Sequence, residues 1–182
     1  MKGSLRKLLN IGLWTSIVLF AIRCLISMPE GVYDIFSHAG EAITIALFSV
    51  WFYECFLWKY IPFEKTPRIA GQYDVTLEYM HEDKKKSKKA TAVIKQTLST
   101  VRVIMKTDKI TSSTIVSSLL EENGENILYY TYITQPKSGN SQENPIQQGT
   151  CRLLITDNEG LCGTYWTSRK TIGDITLKRS VA

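Results

Sequence analysis

Near residue 63 the chain changes its hydrophobic rhythm. Before that point apolar residues run almost continuously in two blocks, and after it they alternate with polar residues at a period of two. Unbroken apolar runs of about twenty residues suit helices that cross a hydrocarbon core of about 30 Å, whereas alternation suits strands with one buried and one wet face. The first block runs from Leu8 to Ser27, with Asn10 and Arg23 as its main polar interruptions; the second runs from Ala42 to Ile61 and gathers Phe and Trp toward its end. Pro62 and Pro67 stop that second helix, because proline offers no N–H and crowds the preceding turn. A signal peptide does not fit, since the first block is too long, lacks a small-residue cleavage site and is soon followed by a second span. The pattern predicts a two-helix transmembrane hairpin over residues 1–63, a linker over 64–70 and a second domain over 71–182.

Basic residues orient the hairpin. Lys2, Arg6 and Lys7 flank its start and Lys59, Lys65 and Arg68 its exit, while the loop Met28 to Glu41 carries Glu30, Asp34 and Glu41 but no Lys or Arg. The positive-inside rule then puts both termini on the cytoplasmic side of an inner membrane that the chain crosses twice. Two ionisable residues within the spans stand out. Arg23 is close to the outer end, where it can snorkel toward Glu41. Glu54 lies near mid-span or somewhat inward of it, beyond easy reach of Arg23 and so without a partner in its own hairpin, and is expected to face a neighbouring protomer or a polar lumen in an oligomer.

From Tyr73, Val75, Leu77 and Tyr79 onward the alternation recurs at Thr91 to Leu98, Thr100 to Lys106, Ser113 to Leu120, Ile127 to Thr134, Thr150 to Thr156, Leu161 to Thr167 and Asp174 to Arg179. Turn signals separate these runs: a lysine cluster (Lys84, Lys85, Lys86, Lys88, Lys89), Thr107 to Lys109, Asn123-Gly124, the polar stretch Pro136 to Gly149, Asp157 to Gly160, and the segment around Gly173. About eight short strands in even sequence make an all-β domain, an antiparallel lipocalin-like barrel with a β-sandwich as its structural competitor. A barrel of this size has room for one small ligand. Tyr73, Tyr79, Gln96, Tyr129, Thr131 and Tyr165 share the parity of the mostly apolar faces and are the polar candidates for its lining.

Composition refines this picture only slightly. Twenty-two Lys and Arg against seventeen Asp and Glu leave a net charge of +5, which favours anionic partners without dictating one. The lysine cluster reads first as a solvated turn and second as a contact with anionic lipid or an anionic ligand. Cys24, Cys55, Cys151 and Cys162 have neither metal-ligand nor redox-motif spacing. His38 and His81 lack a general-base setting, and there is no nucleophile elbow, phosphate loop or carboxylate cluster. An enzyme is not expected, and neither is a cofactor or metal. A binding domain coupled to a membrane segment remains.

Two segments, Gly71-Gln72-Tyr73-Asp74-Val75 and Gly163-Thr164-Tyr165-Trp166-Thr167-Ser168-Arg169-Lys170-Thr171-Ile172-Gly173-Asp174-Ile175, together with a hairpin fused to a solitary barrel, give a chain that resembles the CD-NTase-associated two-transmembrane β-barrel effectors of bacterial CBASS anti-phage defence. The resemblance spans the whole chain. It implies a barrel that binds a cyclic dinucleotide second messenger, association into homo-oligomers, and disruption of the lipid bilayer that kills the infected cell; a DNA or RNA polymer is not implied. Such a ligand carries two phosphates and two flat bases, which arginine forks and aromatic faces respectively suit. The contacts expected on this basis are Arg169 and Arg152 on phosphate, Tyr79 and Tyr165 on the bases, and Tyr73 and Thr167 on the same wall. A membrane-tethered lipocalin-like carrier of an apolar ligand is the main rival, and a pocketless barrel that docks a partner through an edge is the second. The carrier requires an almost wholly apolar cavity.

Overall fold

The computed structural model describes residues 2–81, 84–136, 145–156 and 160–180. Parts of two expected turns, residues 137–144 and 157–159, lie outside the described residues, as does the side chain of His81. The chain forms two compact units, Met1–Thr66 with Thr97–Ser99, and Pro67–Gln96 with Thr100–Ala182.

In the first unit, α1 (Lys2–Ile26) and α2 (Val32–Cys55) form an antiparallel pair, each about 36 Å long at 1.5 Å per residue. Ser4–Ile26 and Val32–Cys55 are both long and apolar enough to cross a membrane. The second helix begins ten residues earlier than its hydropathy predicts. Asp34 is not part of a polar loop; its carboxylate accepts the Glu30 N–H at 3.1 Å and sits in the first turn of α2, where negative charge complements the helix dipole. His38, Ala42 and Ala46, spaced four apart, are the buried face of α2. Gly12 of α1 lies against Val50, so close that an added Cβ would stand 3.3 Å from its methyl group. Small residues thus set the helix contact, as expected where lipid supplies no hydrophobic drive between helices. The large side chains, among them Leu9, Trp14, Leu25, Phe36 and Phe48, face outward. After Cys55 a single 3-10 turn, Leu57–Tyr60, ends the unit's helical run before Pro62, whose ring disfavours helical geometry at Ile61. Glu64 belongs with this unit, taking hydrogen bonds from Lys7, Tyr53 and Thr66.

The second unit is a closed barrel in simple meander order: β1 (Gly71–His81), β2 (Lys84–Gln96), β3 (Val101–Lys106), β4 (Ile110–Glu122), β5 (Glu125–Pro136), β6 (Gln147–Thr156), β7 (Gly160–Thr167) and β8 (Ile172–Arg179). The sandwich alternative is excluded by the β1–β8 ladder, which runs from Tyr73↔Arg179 to Tyr79↔Gly173 and closes the sheet. Asn123 and Gly124 both take positive φ, 53° and 82°, the two-residue hairpin geometry that Asn-Gly favours. Ile115 forms a bulge in β4 between Thr114 and Val116. The β3–β4 seam has only three backbone pairs; beyond them the Thr114 hydroxyl bonds both the N–H and the carbonyl of Val103, and Ser117 Oγ donates to the Val101 carbonyl at 2.6 Å. Side-chain hydroxyls therefore continue the seam where the bulge interrupts the ladder.

Three expectations are corrected here. The lysine cluster is strand, not turn: β2 begins at Lys84, and Lys84–Lys89 pair with β1 from His81 back to Thr76. Lysine is a poor strand former by composition, but the register with β1 carries it. The last turn precedes Gly173, which lies inside β8. On β5 the inward residues are Leu128, Tyr130, Tyr132 and Thr134, so Tyr129 and Thr131 belong to the outer face. Both parities of this strand are rich in aromatic and branched residues, and alternation alone does not separate them.

The end of the barrel where the chain enters is plugged. Gln96 accepts the Ile69 N–H at 2.9 Å and donates to the Pro67 carbonyl at 2.8 Å, while the Tyr73 hydroxyl donates to the Ile69 carbonyl at 2.9 Å. Above this plug lies a core of Val75, Ile94, Leu128, Leu153, Ile175 and Leu177. Leu153→Ala, at a side chain with 0% exposure, is expected to cost about 2–5 kcal/mol in urea unfolding of the full chain in detergent. Ile115→Ala, on the bulge at 55% exposure, should stay within about 0.5 kcal/mol.

Candidate functional site

At the end of the barrel opposite the plug, the inward faces stop short of meeting and leave a cavity of about 220 Å³. Its walls carry Tyr79, Tyr132 and Tyr165, the hydroxyls of Thr107, Ser112, Thr134, Thr167 and Thr171, the amide of Gln147, and one cation, Lys88, among Leu77, Met105, Ile110, Cys151 and Ile175. Register explains the arrangement. Met105 pairs with Ser112, Ser112 with Thr134, and Thr134 with Gln147, making a polar belt over β3 to β6.

The tyrosines have room because each faces a glycine. Tyr132 pairs with Gly149, and both Tyr165 and Tyr79 pair with Gly173. A Cβ at Gly149 would collide with the Tyr132 ring and hydroxyl, and one at Gly173 with the Tyr165 ring and the Glu78 carbonyl. These rings therefore lie across glycine backbone, a packing that a side chain at either position would forbid. Burial pushes the Tyr165 phenol up to about 12 and the Cys151 thiol up to about 12, and it raises Tyr132 as well. All three present neutral groups to the cavity at physiological pH.

Thr167 Oγ1 is buried against this cavity with no hydrogen-bond partner among the described residues. An unsatisfied buried hydroxyl costs on the order of 1–3 kcal/mol, and it is the kind of group a polar ligand would satisfy.

Of the six barrel residues expected to touch ligand, Tyr79, Tyr165 and Thr167 line the cavity. The other three do not. Tyr73 belongs to the plug at the far end; parity gave its face but not its height in the barrel. Arg152 points outward, with Nη2 3.0 Å from Glu122 and Nε donating to the Tyr129 hydroxyl at 2.8 Å, because inward Cys151 and Leu153 fix its strand's parity. Arg169 lies on an exposed turn after β7 ends at Thr167, so the parity that would carry it inward lapses. Gln96 serves the plug, and Thr131 shares a hydroxyl contact with Thr150 at 3.2 Å. Sequence reasoning missed Tyr132, Ser112, Thr134, Gln147 and Thr171, and reached Lys88 only through the second reading of the lysine cluster; the usable signal for Tyr132 was Gly149, whose lack of a side chain marks a close approach.

In the helical unit, Arg23 Nε donates to Glu41 at 2.9 Å, linking α1 to α2. Glu54 is not at mid-span. It is the penultimate residue of α2, its carboxylate accepts hydrogen bonds from Thr97 and Ser99, and its carbonyl accepts the Leu98 N–H at 3.2 Å. The assembly role assigned to it from sequence loses its premise, an acid without a partner.

A closed meander plugged at one end and opening at the other as a cavity with tyrosines, Ser and Thr among its apolar walls has the build of a barrel that receives a small ligand. The model of one family, the Cap15 cyclic dinucleotide receptor domain, matches residues 64–179. CD-NTase-associated protein 15 of Staphylococcus schleiferi is 39% identical over 185 aligned residues, which cover 98% of this chain and 99% of that protein. The chain belongs to the Cap15 family, and its resemblance to the CD-NTase-associated effectors extends through hairpin and barrel alike.

The raised phenol and thiol have a consequence for stability. A group whose folded pKa exceeds its unfolded value contributes stability fully below the unfolded value and loses it as pH rises through the folded one. For Tyr165 the window runs from 10.0 to about 12, and for Cys151 from 9.0 to about 12. Denaturant unfolding of the full chain between pH 8 and 12 should therefore show stability falling from about pH 9 upward. Tyr165→Phe is expected to flatten the part of that fall above about pH 10.

Proposed function

We propose that this protein is a membrane-anchored receptor and effector of CBASS anti-phage defence: its barrel binds a cyclic dinucleotide made in the infected cell, the chains associate in the cytoplasmic membrane, and the membrane is breached so that the cell dies before phage mature. The observation that carries this reading is the mixed wall of the cavity. A carrier of apolar molecules needs walls that are almost entirely hydrocarbon, and an adaptor with a filled core needs no cavity; here a mostly apolar wall around about 220 Å³ also includes five Ser and Thr residues, three tyrosines, a glutamine and a lysine. Tyr79, Tyr132 and Tyr165 serve base faces and edges, and Thr167 supplies the hydroxyl that awaits a partner. The distribution of basic residues about the two apolar helices supports a cytoplasmic barrel, where such a messenger is made.

The test uses the full chain reconstituted in liposomes filled with a self-quenching dye. Adding 3′,3′-cyclic di-AMP, 3′,3′-cyclic GMP–AMP and 3′,3′-cyclic UMP–AMP in turn should release dye with at least one of them. The same compound at a hundredfold its Kd should stabilise the chain by about 2.7 kcal/mol, a thermal shift of several degrees. A protein that responds to none of them, in melting or in leakage, is not this receptor. Thr167→Val separates binding from folding: removal of an unsatisfied hydroxyl should leave stability unchanged or slightly higher, while ligand affinity falls about tenfold, as the loss of one hydrogen bond to a polar partner predicts. Equal losses in both would make Thr167 a packing residue only.

A further inference from the structure

The cavity is small for a cyclic dinucleotide. At about 220 Å³ it falls below the range of roughly 300–1,000 Å³ typical of ligand pockets, so a ligand with two bases and two phosphodiesters seats one part inside and holds the rest at the rim. What stands at that rim decides how its charge is met. Arg152 faces away and is engaged by Glu122, and Lys88 is the one cation among the lining residues.

Lys88 does not stand alone on its face. Along β2 the inward residues are Ala90, Ala92, Ile94 and Gln96, and the same parity continued toward the strand's start gives Lys88, Lys86 and Lys84. Lys86 pairs directly with Tyr79 and Lys88 with Leu77, both of which line the cavity; side chains so paired have Cβ atoms about 4.5–5.5 Å apart. This part of β2 also stands clear of β3. The β2–β3 ladder covers only Thr91 to Gln96, so Lys84–Ala90 are held by β1 alone and form an open-edged hairpin beside the mouth. The opposite face carries Lys85, which is paired with Glu78 at 2.8 Å, and Lys89. Neither Lys86 nor Lys88 forms an ion pair with a described residue.

Lysines blunt exposed strand edges against aggregation, and that role would be served equally by either face. It does not account for a lysine in the wall of a cavity, followed at the next inward position by another beside a cavity tyrosine. We propose that Lys86 and Lys88 are the phosphodiester-binding residues of this site, a two-cation edge on the β1–β2 hairpin that meets the part of the ligand the barrel leaves outside. Resting on the receptor reading above, this names which residues meet the charge. The same chemistry would attract a lipid headgroup, and the experiment separates the two sources.

Binding of the three cyclic dinucleotides is measured by equilibrium dialysis on the full chain in nanodiscs of pure phosphatidylcholine, which offers no anionic lipid. Three double variants are compared with the parent: Lys86→Gln with Lys88→Gln on the inner face, Lys85→Gln with Lys89→Gln on the outer face, and Lys86→Arg with Lys88→Arg. The inner glutamine pair should weaken binding at least tenfold and flatten its dependence on ionic strength, while the outer pair, with the same change in net charge, stays within twofold and the arginine pair retains affinity. Equal weakening by inner and outer pairs would overturn the proposal in favour of general charge attraction, and parental affinity in the inner pair would overturn it outright. Parental affinity that appears only when anionic lipid is added would assign the lysines to the membrane and overturn it as well. If the parent binds none of the three compounds, the receptor reading falls and this assignment with it; binding by the parent with an unaffected inner pair sinks the assignment alone.

Discussion

Closure of the sheet is the constraint from which the site follows. Once β1 pairs with β8, every strand must send alternate side chains into a lumen of fixed width. A narrow lumen can be filled by branched aliphatic residues, as it is around Leu128, Leu153 and Leu177, or it can be left partly open. Toward the mouth the sequence alternates tyrosine with glycine across strand pairs, Tyr132 with Gly149 and Tyr165 with Gly173. Rings laid over glycine leave the centre of the barrel open while keeping the wall dense. The plug at the other end, built on Gln96, Ile69 and Tyr73, satisfies the backbone of the entering chain, and the aliphatic core lies between it and the cavity.

The two units expose different surfaces. In the barrel the buried core is mainly apolar and the exposed positions are mostly polar, with Met80, Ile115, Val116, Ile146 and Ile172 among the exceptions; in the hairpin most of the large apolar residues point outward. Gly12, Ala42 and Ala46 let the helices approach, and the Arg23–Glu41 pair joins them near the turn. An isolated ion would be costly in hydrocarbon, so a charge in this segment comes with its counterion. A helix pair with an apolar exterior and a small-residue seam is the arrangement lipid requires.

Much of this was legible in the sequence, for reasons that also explain what was not. Period-two alternation marked all eight strands, and Asn123-Gly124 marked its hairpin, because both signals are local. The face of β5 was read in the wrong parity because Ile127 and Tyr129 are as apolar as Leu128 and Tyr130, and only the glycine across from Tyr132 resolves them. Tyr73 was put in the site because parity fixes the face of a strand but not the height along the barrel. The start of α2 was hidden by Asp34, His38 and Glu41, which hydropathy counts as loop but which cap the helix, pack within it or pair across it. The lysine cluster read as a turn because composition outweighed register; the pairing of Lys84–Lys89 with β1 is a non-local fact.

The distribution of charge at the site answers a further physical requirement. The barrel must fold and persist before any ligand arrives, and a guanidinium held deep among Leu77, Ile175 and Met105 would be a buried charge without a counterion, costing several kcal/mol. Hydroxyls impose a far smaller penalty, and the neutral phenols of Tyr132 and Tyr165 and the neutral thiol of Cys151 impose none through charge. Neutral groups in the interior, with Lys84–Lys89 on an open-edged strand beside it, leave the empty barrel without an uncompensated charge in its core, and this is the order in which the chain arranges them.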